Sequence, residues 1–279
     1  MFRLVCLVVM LVAAVMPGEA QGWSKNIHSL ICSAAYELTS DQGRALVDRY
    51  SEGKWPSSCQ WADEVRYGSH KETYEYHFIN VPQTAARDDV NLAVDCAAHD
   101  CVHQAVKRYA VYLSAEYTSD KTKREALKFL GHFIGDLHQP LHVGYLEDRG
   151  GNTIKWSVPG SKKKYTLHAI WDGIIPEAAG LKKRGAKQAL LKSISARDVR
   201  QWRSLDFEAV IQVSYDLARS HAYTLSDGSE AARAGVLRPA YTKRAVPIVT
   251  TQIGKAAVRL AHLLHIVGAG QFDPVDMKG

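Results

Sequence analysis

The sequence predicts a mainly α protein, a single helical domain carrying one small β-hairpin. Three observations predict it. Apolar residues recur at helical spacing in five separate stretches. Short extended runs gather at one place, around Pro159-Gly160. No internal repeat, low-complexity linker or shift in composition divides the 279 residues.

In chain order, the first segment stands outside the fold. Met1-Phe2-Arg3 is a short basic start, and Leu4 to Met16 is a nearly unbroken apolar run. Pro17-Gly18 breaks the run, and Ala20-Gln21-Gly22 offers the small residues that a signal peptidase reads. A membrane anchor is the alternative, but the run is too short to span a bilayer comfortably. Residues 1–22 therefore read as a signal peptide, residues 23–279 as the mature domain, and the location as secreted or periplasmic. Ile27 to Leu38 is apolar at helical spacing, and Ser40 caps a second helix through Val47. Cys101 to Tyr117 places Val102, Ala105, Val106, Tyr109, Ala110 and Leu113 on one side. Lys123 to Leu137 forms another helix, which Pro140 stops. Asn152–Val158 and Tyr165–Leu167 form the hairpin. Val249 to Val267 makes the last helix, and a short loose tail follows Gly270.

Arg3 and Glu19 cancel, so loss of the leader keeps the net charge at +6. A basic exported protein suits a polyanion such as nucleic acid, although solubility alone also accounts for such a charge. Cys6 leaves with the leader, and Cys32, Cys59, Cys96 and Cys101 remain. An even count in an oxidising compartment favours two disulfides. Three pairings are open; Cys96–Cys101, a tight local loop, and Cys32–Cys59 are favoured, with zinc binding by these cysteines as the alternative. No Asn-x-Ser/Thr acceptor occurs.

The chemistry-bearing residues are His and Asp. His132 and Asp136 lie four apart within Phe129-Leu130-Gly131-His132-Phe133-Ile134-Gly135-Asp136, so they share one helix face. His168 and Asp172 repeat the spacing, and His142 follows the Pro140 break. Asp63, His77 and His28 complete the set. A lone His/Asp pair is more often a surface or core pair. Here the apolar neighbours imply burial, which costs several kcal/mol for such groups unless a cation compensates. Imidazole with carboxylate is a ligand set that zinc accepts. His138 points away from His132 on the helix and reads as packing or support. His99, His103, His221, His262 and His265 lack carboxylates at ligand spacing and read as structural. Lys162-Lys163-Lys164 and Lys182-Lys183-Arg184 read as solvated turns. No P-loop, Gly-x-Ser-x-Gly or His-Glu-x-x-His motif is present.

In this ordered set the chain resembles the type I nucleases, the zinc-dependent single-strand nucleases of fungi and plants. They share a helical fold with bacterial zinc phospholipase C. The resemblance rests on Trp23-x4-His28, Trp61-Ala62-Asp63, His77-Phe78, His132-x3-Asp136-x5-His142, Gly150-Gly151-Asn152 and His168-x3-Asp172. It implies three zinc ions: one held by Asp63, His77, His132 and Asp136; a second by His142, His168 and Asp172; a third by His28, Asp136 and the amine and carbonyl of Trp23. Leader cleavage at Trp23 would then complete the site. Asp63 orients the attacking water, which zinc acidifies to a pKa of about 7, and zinc neutralises the leaving 3′-oxygen. Arg66, one turn from Asp63, holds a phosphate oxygen or is a surface side chain. Phe78 stacks an unpaired base, which gives single-strand preference, or is a core residue. Asn152 is a further substrate contact. Pro82 stands where the resembling enzymes carry an acidic residue, so base preference does not carry over.

The implied function is a monomeric three-zinc endonuclease. It cuts single-stranded DNA and RNA to 5′-phosphate products, with 3′-nucleotidase activity as a companion and no membrane involvement. Two rivals are a zinc phospholipase C, disfavoured by the short Trp23–His28 gap and the basic charge, and a non-catalytic zinc or nucleic-acid-binding protein, disfavoured by ligands at every position.

Overall fold

The computed structural model describes residues 23–83, 89–96, 100–231 and 234–277. The leader, residues 1–22, and His99 lie outside the described residues. The helices are α1 (Lys25–Leu38), α2 (Asp41–Ser51), α3 (Trp61–Val65), α4 (Leu92–Asp95), α5 (Val102–Ser114), α6 (Asp120–Leu137), α7 (Leu167–Ala169), α8 (Ile175–Ala178), α9 (Ala186–Ser193), α10 (Ala196–Trp202), α11 (Phe207–Leu217) and α12 (Pro239–Gly268). The mainly α class expected from the sequence holds.

Local chemistry sets the helix starts. Ser40 accepts from the Gly43 N–H to cap α2, and Ser119 accepts from the Thr122 N–H to cap α6. That second cap starts α6 at Asp120, three residues before the apolar pattern begins. The 30-residue α12 starts at Pro239, ten residues earlier than the pattern suggested. Pro247 lies inside it. Its ring removes one N–H, that directed at Lys243, and the flanking apolar burial of Ala245 and Val249 carries the helix through. Helices α1, α2, α5, α6 and α12 pack on one another around the core, with α6 at the centre. From Phe129 to Leu137 every α6 side chain is buried.

The β structure is smaller and more spread out than expected. The hairpin shrinks to β3 (Lys155–Ser157) and β4 (Lys164–Thr166), antiparallel with Trp156 opposite Tyr165. β5 (Ala234–Val236) joins β3 in parallel. β1 (Ile79–Val81) and β2 (Val143–Tyr145) form a separate parallel pair, with Ile79 opposite Val143 and Val81 opposite Tyr145. Three-residue strands carry too little alternation to be read from a sequence.

Both disulfides form as favoured, Cys32–Cys59 and Cys96–Cys101. The first sits against α6 at Gly131, where an added Cβ would lie 2.5 Å from Cys59 Sγ. No described helix is long and apolar enough to cross a membrane.

Candidate metal centre

Five imidazoles and three carboxylates converge at the middle of the helical shell. α6 supplies His132 and Asp136, and the turn Pro140–His142 that follows it supplies His142. α1 supplies His28, α3 supplies Asp63, and His77 stands just before β1. His168 comes from α7 and Asp172 from the single wide turn Ile170–Ile174. All eight are buried, none more than 5 % exposed. The sequence brought every one of them to one place.

Their atoms group in three sets at coordination spacing: His28, Asp63 and His132; His77, His132 and Asp136; His142, His168 and Asp172. In the second set, His77 Nδ1 lies 3.0 Å and His132 Nε2 lies 3.1 Å from Asp136 Oδ2, and the two nitrogens are 3.1 Å apart. Tetrahedral ligands about 2.0 Å from one ion sit about 3.3 Å from one another. In the third set, His168 Nε2 is 3.4 Å from Asp172 Oδ2.

Backbone carbonyls fix the histidine tautomers. The Cys59 carbonyl takes the Nδ1–H of His132 at 2.8 Å, the His77 carbonyl that of His142 at 2.6 Å, and the Gly150 carbonyl that of His168 at 2.7 Å. A carbonyl only accepts, so each ring keeps its Nε2 lone pair for the centre. Several buried atoms of the cluster have no hydrogen-bond partner: both oxygens of Asp63, Oδ1 of Asp136, Oδ2 of Asp172, and Nε2 of His77 and His142. Buried carboxylate oxygens without a partner, grouped with imidazole nitrogens at coordination spacing, fit a cation, so the residues suit zinc.

The electrostatics agree. Burial drives the His77 and His168 rings down to about 3, and it lowers His28 and His142 as well. Neutral imidazole is the form that binds metal. Burial also opposes charge on His132, but Asp136 and Asp63 outweigh it and raise that ring. For Asp63 and Asp136 burial favours the protonated acid; the neighbouring His132 overrides it and holds both carboxyls below the usual range. Burial pushes Asp172 well above that range, against a hydrogen bond from Gln139.

Gln139 is a functional residue that spacing did not reveal. Its Oε1 accepts from the Leu141 N–H at 2.5 Å, which turns Nε2 onto Asp172 Oδ1 at 2.6 Å. Asp172 is thereby left to face the centre through Oδ2. The role of the first glycine of the Gly150-Gly151-Asn152 motif was also missed. Gly150 has φ +62°, and a Cβ there would collide with the Leu141 carbonyl. Only glycine lets its own carbonyl reach His168. The Asn152 amide donates to the Arg149 carbonyl at 2.8 Å, bracing the same turn.

The remaining candidates fall as follows. Trp23 is wholly buried; its indole donates to the Gly135 carbonyl at 2.9 Å, and the Ser24 N–H donates to the Asp172 carbonyl at 3.0 Å. Arg66 is 4 % exposed, which removes the surface reading; its guanidinium lies 3.4 Å from Asp63 and over the rings of Tyr67 and Tyr74. Phe78 is half-buried, edge-on to Tyr74 at 5.9 Å. His138 is buried beneath the cluster, its Nδ1–H on the Ile134 carbonyl and its Nε2 2.9 Å from Arg259. The lysines of 162–164 are exposed.

A helical shell closed over five buried imidazoles and three buried carboxylates is a candidate metal centre. Residues 23–267 match the S1/P1 Nuclease family, and the chain belongs to that family. It is a zinc-dependent, single-strand-specific endonuclease. It is similar to Endonuclease 2 of Arabidopsis thaliana, 31% identical over 88% of this chain and 90% of that one. It is also similar to Endonuclease 4 of the same plant, at 32% over 87% and 88%, and to Nuclease P1 of Penicillium citrinum, at 26% over 87% and 97%. Among solved structures, Alpha Toxin from Clostridium Absonum aligns with 89% of this chain and 65% of its own, at 16% identity and a TM-score of 0.44.

Proposed function

We propose that the mature protein begins at Trp23, is exported, and acts as a monomer holding three zinc ions. It cuts single-stranded DNA and RNA to 5′-phosphate products and releases phosphate from 3′-nucleotides. The observation that carries this reading is the position of Asp136. Its Oδ2 faces His77 and His132, while its Oδ1 lies 3.4 Å from His28 and 3.6 Å from His142. With His28 beside one oxygen and His77 and His132 beside the other, Asp136 would help to hold two ions. His28, Asp136 and the Trp23 amine and carbonyl would hold one, Asp63, His77, His132 and Asp136 another, and His142, His168 and Asp172 the last.

Zinc, when bound, supplies a water that ionises near neutral pH and positive charge against the phosphate. The chain's residues do the rest. Asp63 accepts from the attacking water through an oxygen with no protein partner and turns it toward phosphorus. Arg66, braced by two tyrosine rings, takes a phosphate oxygen through its fork of donors. Phe78 stacks an unpaired base, which a duplex would hide in its own stack. Asn152 holds the turn that presents the Gly150 carbonyl to His168, and so acts on the substrate through that turn.

Zinc analysis of the secreted protein, run beside digests of single-stranded DNA and RNA, tests the reading. Three zinc ions per chain, an intact mass starting at Trp23 and 5′-phosphate ends are expected. A fully active sample holding a single zinc would refute it.

A further inference from the structure

We propose that the outward face of α9 and α10 is a docking surface for the phosphate backbone of a long nucleic acid, separate from the metal centre and indifferent to base. The proposal rests on the nuclease reading above and extends it. Charge carries the argument. From Lys182 to Arg203 the chain holds eight Lys and Arg and a single acidic residue, Asp198. That stretch sums to +7 while the whole chain sums to +6, so all other residues together carry −1. The basic character of the protein is therefore a property of one surface. The stretch begins beside the metal centre: Lys182 Nζ lies 3.2 Å from where a Cβ on Gly173, the neighbour of Asp172, would stand. It then leads away. Lys187 pairs with Glu37, which is nine residues, or about 13 Å, along α1 from His28. α10 packs on the middle of α12, where Trp202 meets Gly254.

The cations on this surface are open. Lys182 and Lys187 pair with Glu177 and Glu37. The other six are exposed and form no ion pair with a described residue. Asp198 is turned to the start of α10, where its carboxylate accepts from the Ser195 N–H at 2.9 Å and the Ser195 hydroxyl at 2.6 Å. Arg197, Arg200 and Arg203 recur every three residues, so they form a slanted row spaced about 4.5 Å along the α10 axis. α10 fully buries none of its side chains. Behind it, Arg259 of α12 donates to the Ser204 carbonyl at 3.0 Å and adds another cation. A row of guanidinium forks suits a chain of repeated phosphates, and contacts of that kind position a nucleic acid without reading its sequence. Among the described residues, no large apolar side chain is exposed on this stretch, and an interfacial helix on a lipid surface needs such side chains. The observations therefore favour nucleic acid over a membrane.

The test measures how the zinc-loaded enzyme binds a thirty-base-pair DNA duplex, by fluorescence anisotropy across a salt series. A single-strand-specific enzyme leaves that probe uncut. Combining Arg197→Gln, Arg200→Gln and Arg203→Gln should lower the log–log salt slope by about 2.7, three phosphate contacts. Arg200→Gln alone should lower it by about 0.9, which decides the case even if the triple variant folds poorly. Combining Lys162→Gln, Lys163→Gln and Lys164→Gln removes the same charge from the β3–β4 hairpin and should keep the wild-type slope. All variants should cleave a dinucleoside monophosphate, too short to span both places, at the wild-type kcat/KM. An unchanged slope in the arginine variants, or an equal fall in the lysine variant, would overturn the proposal. So would a fall in dinucleotide cleavage by the arginine variants. Loss of binding to phosphatidylglycerol vesicles with duplex binding intact would make this a lipid-binding face and overturn it too. A wild type that binds the duplex but cleaves no single strand would overturn the nuclease reading instead.

Discussion

In the proposed three-zinc reading, Asp136 serves two ions with one carboxylate. Asp136→Asn should lose two of the ions and nearly all activity, whereas His138→Ala, two residues on, should keep its zinc. Elemental analysis of the two variants decides, and similar losses in both would sink the ligand assignment. Gln139 makes a subtler case. Gln139→Leu keeps the volume but frees Asp172 Oδ1, and losing a hydrogen bond that orients a metal-facing carboxylate costs about 10–100-fold in metal affinity. Competition with a chelator should show that weakening for one ion only; an unchanged affinity would make Gln139 a packing residue. The candidate ligands were legible because a metal demands particular side chains at particular spacings, as in His132-x3-Asp136 and His168-x3-Asp172. Gln139 was not legible, because its role comes from an amide orientation set by the Leu141 N–H, and spacing carries no trace of that. Arg66 was half legible: the turn from Asp63 was plain, but its burial beneath Tyr67 and Tyr74 is a tertiary fact.

At the scale of elements, the Cys32–Cys59 bridge ties α1 and the turn before α3 to the back of α6. The same cysteine's carbonyl orients His132. Its loop spans 27 residues, against 5 for Cys96–Cys101. Chain entropy gives about 3.5 kcal/mol for the first and about 2 kcal/mol for the second. Replacing the first pair by serine should therefore lower Tm more, and should lower zinc affinity too. Replacing the second should leave zinc affinity alone. Calorimetry and zinc titration check both, and equal effects would deny the first bridge a part in placing His132. Long helices with caps, such as α6, were readable from period and punctuation. β1 and β2 were not, because parallel pairing between segments about sixty residues apart leaves no local signal.

For the molecule as a whole, buried His138 couples stability to acid. Burial, reinforced by Arg259, holds its folded pKa well below the ordinary value. An unfolded histidine takes its proton near pH 6.5. Below that pH the unfolded chain binds a proton that the folded chain refuses, so stability is present above it and falls with falling pH. The slope reaches about 1.4 kcal/mol per pH unit. Denaturant titrations at pH 7 and pH 5 should show wild type losing more than His138→Gln; equal losses would remove His138 as the cause.

A mature start at buried Trp23, as proposed above, has a consequence for the cell that makes this enzyme. Trp23 is sealed inside the core, with its indole on α6 and its neighbour Ser24 on Asp172. Residues still attached before it would have to leave the protein interior at that point, beside the metal centre. On the proposed reading, the precursor lacks the free Trp23 amine and stays inactive on the RNA around it until the leader is removed. A leader-retaining form that digested single strands as fast as the processed one would contradict this. For the same reason an affinity tag should not precede Trp23.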